Sequence, residues 1–209
     1  MSVILSLLRP LALRCLAAVS LCSALVHAAP GNVDPTFVPV NFATMDQKTE
    51  QVVIQPDGKV LAARGTTGGM KVARFDHRGN LDPELNIPTA NGSIAGMELL
   101  PDGRILVGGS FTTIGGMARQ RIALLLPDGK VDSTFNPGAN AQIRIVMGLA
   151  DGTFLAGGSF SQFAGQTRTR VAHFTASGEL LPFAPTLDGT CYAFHQQAED
   201  FLALAQRIF

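Results

Sequence analysis

Leu100-Pro101-Asp102-Gly103-Arg104-Ile105-Leu106 is a turn running into an apolar stretch, and the chain states it more than once. It stands earlier as Gln55-Pro56-Asp57-Gly58-Lys59-Val60-Leu61 and later as Ala150-Asp151-Gly152-Thr153-Phe154-Leu155, with the turn glycines 45 and 49 residues apart. A second phrase keeps step with the first: Gly31-Asn32-Val33-Asp34, Gly79-Asn80-Leu81-Asp82, Gly129-Lys130-Val131-Asp132 and, degraded, Gly178-Glu179-Leu180-Leu181, at glycine steps of 48, 50 and 49. Two independent phrases on one period of about 48 residues define a repeat of the length a four-stranded propeller blade needs. The repeat states an architecture and leaves the function unnamed.

The second repeat shows how one unit reads. Ser93 to Leu100 is a strand ending at Pro101-Asp102-Gly103, where Asp-Gly is expected to supply the positive φ angles of a tight hairpin turn. Arg104 to Phe111 returns as a second strand, its Ile105-Leu106-Val107 run marking burial on both faces. Thr112 to Ala118 reads as a loop, Arg119 to Leu126 as a third strand closed by Pro127-Asp128-Gly129, and Lys130 to Asn136 as a short fourth. The third repeat follows with Ile143–Leu149, Thr153–Phe160, Thr169–Thr175 and Glu179–Phe183. The first repeat has only 13 residues from Gly58 to Lys71, against 18 from Gly103 to Arg121, so its loop must be tighter. At the end, Cys191–Gln197 and Phe201–Ala205 read as two strands of a partial fourth unit, with a terminal helix over 194–209 as the rival reading. The expectation is an all-β, propeller-like array of four-stranded antiparallel blades at about 50–87, 93–137 and 141–184. A partial blade covers 190–209, with 31–38 available as a closing strand, so the propeller is incomplete or open.

Residues 1–28 read as an export signal. Leu16 to Val26 is apolar, Arg9 and Arg14 precede it, and Val26-His27-Ala28 places small side chains for cleavage after Ala28. Eleven helical residues rise about 16 Å against a hydrocarbon core of about 30 Å, too short for a membrane anchor. Leu21, bulky directly before Cys22, argues against lipidation. The mature part, 29–209, is then expected to be secreted, at the cell surface or periplasmic, with no membrane insertion. Cys15 and Cys22 would leave with the signal, so Cys191 stands alone and is read as a small buried hydrophobe, intermolecular pairing being the alternative. Sixteen basic and sixteen acidic residues give a net charge of zero, so nothing draws nucleic acid.

These phrases resemble the delta-60 repeat family, whose unit is similar to a "PDG-K-hydrophobic-L-hydrophobic-GG-S-F" stretch, a loop, "R-hydrophobic-A-R-hydrophobic", a "DG" turn and "LD-x-x-F". Pro56-Asp57-Gly58-Lys59-Val60-Leu61, Gly108-Gly109-Ser110-Phe111, Val72-Ala73-Arg74-Phe75 and Val131-Asp132-Ser133-Thr134-Phe135 carry the resemblance, which spans roughly 31 to 183. It implies a propeller repeat of secreted or surface bacterial proteins and no common reaction. The pattern breaks at Leu181 and Asp200, where its aspartate and turn glycine would stand.

Asp57, Gly58, Asp102, Gly103, Asp128, Gly129, Asp151 and Gly152 are read as structural turn residues, the alternative for the aspartates being calcium ligation. Asp34, Asp82 and Asp132 are expected to accept backbone N–H bonds and fix a corner. Lys71, Arg121 and Arg170 start equivalent third strands, so an anion-binding ring is set against solvated, paired cations. Phe37, Phe111, Phe135 and Phe160 read as packing side chains. Ser110 and Ser159 lack the glycine two residues on that a nucleophile elbow needs, and His77, His173 and His195 fall at different phases, so no catalytic, cofactor or metal site is expected. Asn91-Gly92-Ser93 fits a glycosylation acceptor. The reading is a binding or scaffold module for a protein or carbohydrate ligand, not an enzyme. The alternatives are a metal-dependent hydrolase or lactonase-like propeller, and a fragment of a longer propeller that self-associates through exposed blade edges.

Overall fold

The structure, a computed structural model, describes residues 49–66, 69–85, 87, 89–183, 185, 187–197 and 200–205. The signal reading for 1–28, the closing strand at 31–38, Asp34 and Phe37 lie outside the described residues.

Among the described residues every regular element is a strand, and the repeat sets their order. The first blade is β1 (Thr49–Ile54), β2 (Val60–Thr66) and β3 (Gly69–Phe75). The second is β4 (Ile94–Leu99), β5 (Ile105–Gly109), a two-residue hairpin β6 (Thr113–Ile114) and β7 (Met117–Ala118), then β8 (Ile122–Leu125). The third repeats it as β9 (Ile143–Gly148), β10 (Phe154–Gly158), β11 (Gln162–Phe163), β12 (Gln166–Thr167) and β13 (Val171–Phe174). A two-stranded sheet follows, β14 (Cys191–Gln197) with β15 (Asp200–Ala205), so the C-terminal stretch takes the strand reading rather than the helix. The sheets are antiparallel, in orders β1-β2-β3, β4-β5-β8 and β9-β10-β13. The architecture is a β-propeller repeat array, and among the described residues no sheet closes on itself.

The expected fourth strand shrinks to one bridging residue per blade: Leu81 on Phe75, Val131 on Leu125 and Leu180 on Phe174. Two backbone bonds flank each bridge, for example Leu126 N to Lys130 O at 2.8 Å and Asp132 N to Leu124 O at 2.8 Å. The chain then turns away because the next polar group closes on its own backbone: Asp132 Oδ1 accepts the Thr134 N–H at 2.9 Å. The stretch expected to be a loop at Thr112–Ala118 folds as the β6–β7 hairpin around Gly115 and Gly116, both with positive φ.

The middle strands β5 and β10 are buried at every position. Their glycines explain how blades approach. A Cβ on Gly108 would lie 2.5 Å from Ile143 Cγ2, and one on Gly157 2.7 Å from Cys191 Sγ and 2.9 Å from Phe194 Cζ. Each glycine therefore leaves a gap that side chains from the first strand of the following blade fill. Leu61, Val72, Ile94, Val107 and Phe111 share one core between the first two blades, and Leu106, Val146, Phe154, Phe160 and Phe174 share the next. Phe111, Phe135 and Phe160 are packing side chains, as expected. Phe135, Phe154, Phe163 and Phe174 form a tilted and edge-on chain of rings 4.8 to 6.5 Å apart. Cys191 is fully buried, and burial raises its thiol pKa to about 11, which keeps it a protonated apolar filler.

Candidate functional site

The Asp-Gly turns have one geometry. In each, the glycine N–H donates to the carbonyl three residues back (Gly58 to Gln55, Gly103 to Leu100, Gly129 to Leu126, Gly152 to Leu149) at 2.8 to 3.0 Å. The glycine alone has positive φ, 81° to 88° at these four sites; the aspartate does not, which corrects the expectation of two left-handed residues. This is a type I turn with a left-handed glycine closing the hairpin. The aspartate instead folds its carboxylate onto the N–H two residues on: Asp57 to Lys59 at 3.1 Å, Asp102 to Arg104 at 3.1 Å, Asp128 to Lys130 at 3.0 Å and Asp151 to Thr153 at 2.9 Å. The Thr153 hydroxyl and N–H lower the pKa of Asp151, as the Lys130 ammonium and N–H lower that of Asp128.

Asp82 and Asp132 occupy the corner after the bridge and accept N–H bonds from Glu84 at 3.0 Å and Thr134 at 2.9 Å. Asp82 also takes Lys59 Nζ at 3.1 Å and Arg74 Nε at 2.9 Å. The Glu84 N–H, the Lys59 ammonium and the Arg74 guanidinium together hold its carboxyl pKa down at about 2.

Lys71, Arg121 and Arg170 do share a register level, pairing with Arg64, and lying opposite Gly109 and Gly158. Their roles divide. Arg121 and Arg170 both have φ of 70°, a left-handed conformation that a β-carbon disfavours, and their N–H groups donate to Phe111 O and Phe160 O at 2.9 Å. Arg121 Nη1 donates to Ala139 O at 2.7 Å and Arg170 Nη1 to Ser159 O. Both guanidiniums are thus engaged by main-chain carbonyls, while Lys71 sits within β3.

Sequence reasoning passed over Arg119 and Arg168, two positions earlier as the first arginine of each Arg-x-Arg phrase. Arg119 is buried, and its Nη2 reaches the carbonyls of Asp132 and Ser133 at 3.0 and 3.3 Å, pinning the outer bridge; Arg168 Nη2 reaches Leu181 O at 3.3 Å. The doubled arginine was the available signal. Asn91 and Asn140 were also more informative than a glycosylation phrase suggests. Each side-chain oxygen accepts two N–H groups of the following blade's small hairpin, Thr112 and Thr113 or Ser161 and Gln162, at 2.8 to 3.0 Å. His77 lies exposed in a turn, His195 lies exposed in β14, and His173 Nε2 meets Thr153 Oγ1 at 2.8 Å. Among the described residues no three His, Cys, Asp or Glu side chains gather in a metal-binding group.

A cleft of about 480 Å³ lies where the turn ends of the second and third blades meet. Glu98, Leu100, Arg104, Leu149 and Phe154 line it. Burial raises the pKa of Glu98, and among the described residues no donor meets its carboxylate. Arg104 Nε is held by Asp102 Oδ2 at 2.7 Å on the same wall. Glu98 is unique to the second repeat: Val53, Met147 and His195 stand at its equivalent positions. A position that varies within a repeat is where individual chemistry resides, which is why the period could not point to it.

Fold and site together define a repeat-type β-propeller module. Residues 55–84, 100–135 and 149–180 match the family described as "Domain of unknown function (DUF5122) beta-propeller". Each matched stretch runs from or just before an Asp-Gly turn through the second and third strands to the outer bridge or the corner beyond it. Among curated proteins, none matches the chain.

Proposed function

We propose that the protein is an exported, non-catalytic binding module of the delta-60 repeat kind, taking a protein or carbohydrate ligand in the cleft between its second and third blades. The observation that carries this reading is Glu98, a half-buried carboxylate in a cleft lined by Leu100, Leu149 and Phe154 beside the paired Arg104, with no donor among the described residues, which a ligand hydroxyl or ammonium group would satisfy. The repeated carboxylates support it too, because their oxygens are engaged in turns and corners. The apolar run Leu16–Val26 and the Val26-His27-Ala28 site support export.

The test is binding of the purified protein to arrays of polysaccharides and surface proteins, repeated with Glu98→Gln. Retention of a ligand that the variant binds at least tenfold more weakly is the expected result, since a charge-assisted hydrogen bond is worth about 1.5–3 kcal/mol. Equal binding by the variant, or turnover of the retained ligand, overturns the reading. Terminal sequencing of the protein made with its own leader should start at Ala29; an intact Met1 start overturns export.

A further inference from the structure

Successive blades meet by one rule, and its ends do not match its middle. In each blade the first strand carries a bulge, and in β4, β9 and β14 the residues at the bulge start and three positions on pack against a small residue of the previous blade's middle strand. Ile143 and Val146 close on Gly108, and Cys191 and Phe194 on Gly157; Ile94 and Met97 share the core that holds Ala63. The inserted side chains are sealed: Met97 is 5% exposed, Val146 4% and Phe194 9%. In β1 the equivalent positions are Thr49 and Val52, and there Val52 is 56% exposed, with Ile54 beyond it at 73%. At the other end, the register position that receives the next blade is Leu204, opposite Ala193 as Gly108 is opposite Gly96.

Residue sizes are therefore exchanged at the two ends: a leucine where the interior blades have glycine or alanine, and threonine with valine where they have larger pairs. We propose that a second copy of this chain covers the β1 face, each copy docking its Val52 and Ile54 face onto the β14–β15 sheet of the other. Two such contacts related by a twofold axis make a closed pair, in which each copy uses the same two surfaces. The exposed pair would gain the cover that Met97 and Val146 already have.

Light scattering of the purified protein at micromolar concentration is expected to give twice the single-chain mass measured by denaturing mass spectrometry. Val52→Asp with Ile54→Lys is expected to give single chains with an unchanged far-ultraviolet spectrum; Ile54→Lys alone, at the most exposed position, serves if the double variant fails to fold. A monomeric wild type overturns the proposal, including the case in which residues 31–38 of the same chain cover the face. So does a pair that survives the substitutions, or a mass that keeps growing with concentration. Ligand retention by the single-chain variant would leave the proposed function standing on its own.

Discussion

Gly152 and Gly157 lie in one hairpin and are glycine for different reasons. Gly152 has φ of +81° and open space around its Cβ position, so Gly152→Ala is expected to cost about 1–2 kcal/mol from left-handed strain alone. Gly157 is extended, but a Cβ there would meet Cys191 Sγ, Ile145 Cγ2 and Phe194 Cζ within 2.9 Å. Gly157→Ala is expected to cost about 1–3 kcal/mol through overpacking, and urea titration of both variants with a Cys191→Ala background separates the causes. Relief of the second and not the first in that background is the expected outcome. Two carboxylates, Asp82 and Glu98, have pKa shifts of opposite direction. Asp82 has its pKa lowered to about 2, so its contribution is complete above the ordinary carboxylate range and fades as pH falls toward 2. Asp82→Asn should lower the melting temperature at pH 7, with the gap to wild type shrinking from pH 4 to pH 2. Glu98 has its pKa raised by burial, so folding loses stability as pH climbs through it. Glu98→Gln should melt higher than wild type at pH 7 and level with it below about pH 4. A Gln variant no more stable at pH 7 would show that the carboxylate has a partner.

At the scale of the element, the outer bridge of each blade is one residue long and cannot hold by its own ladder. Arg119 supplies what the missing strand would have: a buried guanidinium joining the Ala118, Asp132 and Ser133 carbonyls at 2.7 to 3.3 Å. Arg119→Met keeps the apolar stem and removes the donors, and is expected to cost about 2 kcal/mol, read as a lowered urea midpoint. Arg119→Lys should recover little, because an ammonium lacks the guanidinium's fixed fork. The strands themselves were legible: Cys191–Gln197 was expected and observed, and Ile105–Gly109 lies inside the expected Arg104–Phe111. What was not legible was the shortness of the fourth strand. Lys130–Asn136 follows a hairpin turn and was expected to pair as a strand, but Asp132 closes onto Thr134 before a second pair can form. Local side-chain capture outcompeted the ladder.

Across the whole molecule, stability passes from blade to blade through shared cores. The β14–β15 sheet has two described strands and rests on Leu155 and Val171 through Cys191 and Phe194, so it has less support than the three-stranded blade sheets. Its amides are expected to exchange with solvent well before those of β5 and β10, measured by hydrogen exchange; pairing of copies would slow them, and equal protection in single chains would contradict nearest-neighbour stability.

The period, the turn positions and the order of strands were settled by sequence alone, because a hairpin turn is decided within four or five consecutive residues and the chain states it repeatedly. Tertiary structure alone decided that Arg119 rather than Arg121 is buried, why Gly108 and Gly157 must be small, and that Glu98 faces a cleft with no donor among the described residues. Those outcomes depend on which surfaces of neighbouring blades press together. They arise between residues tens of positions apart, where the spacing of a phrase carries no information about distance in space.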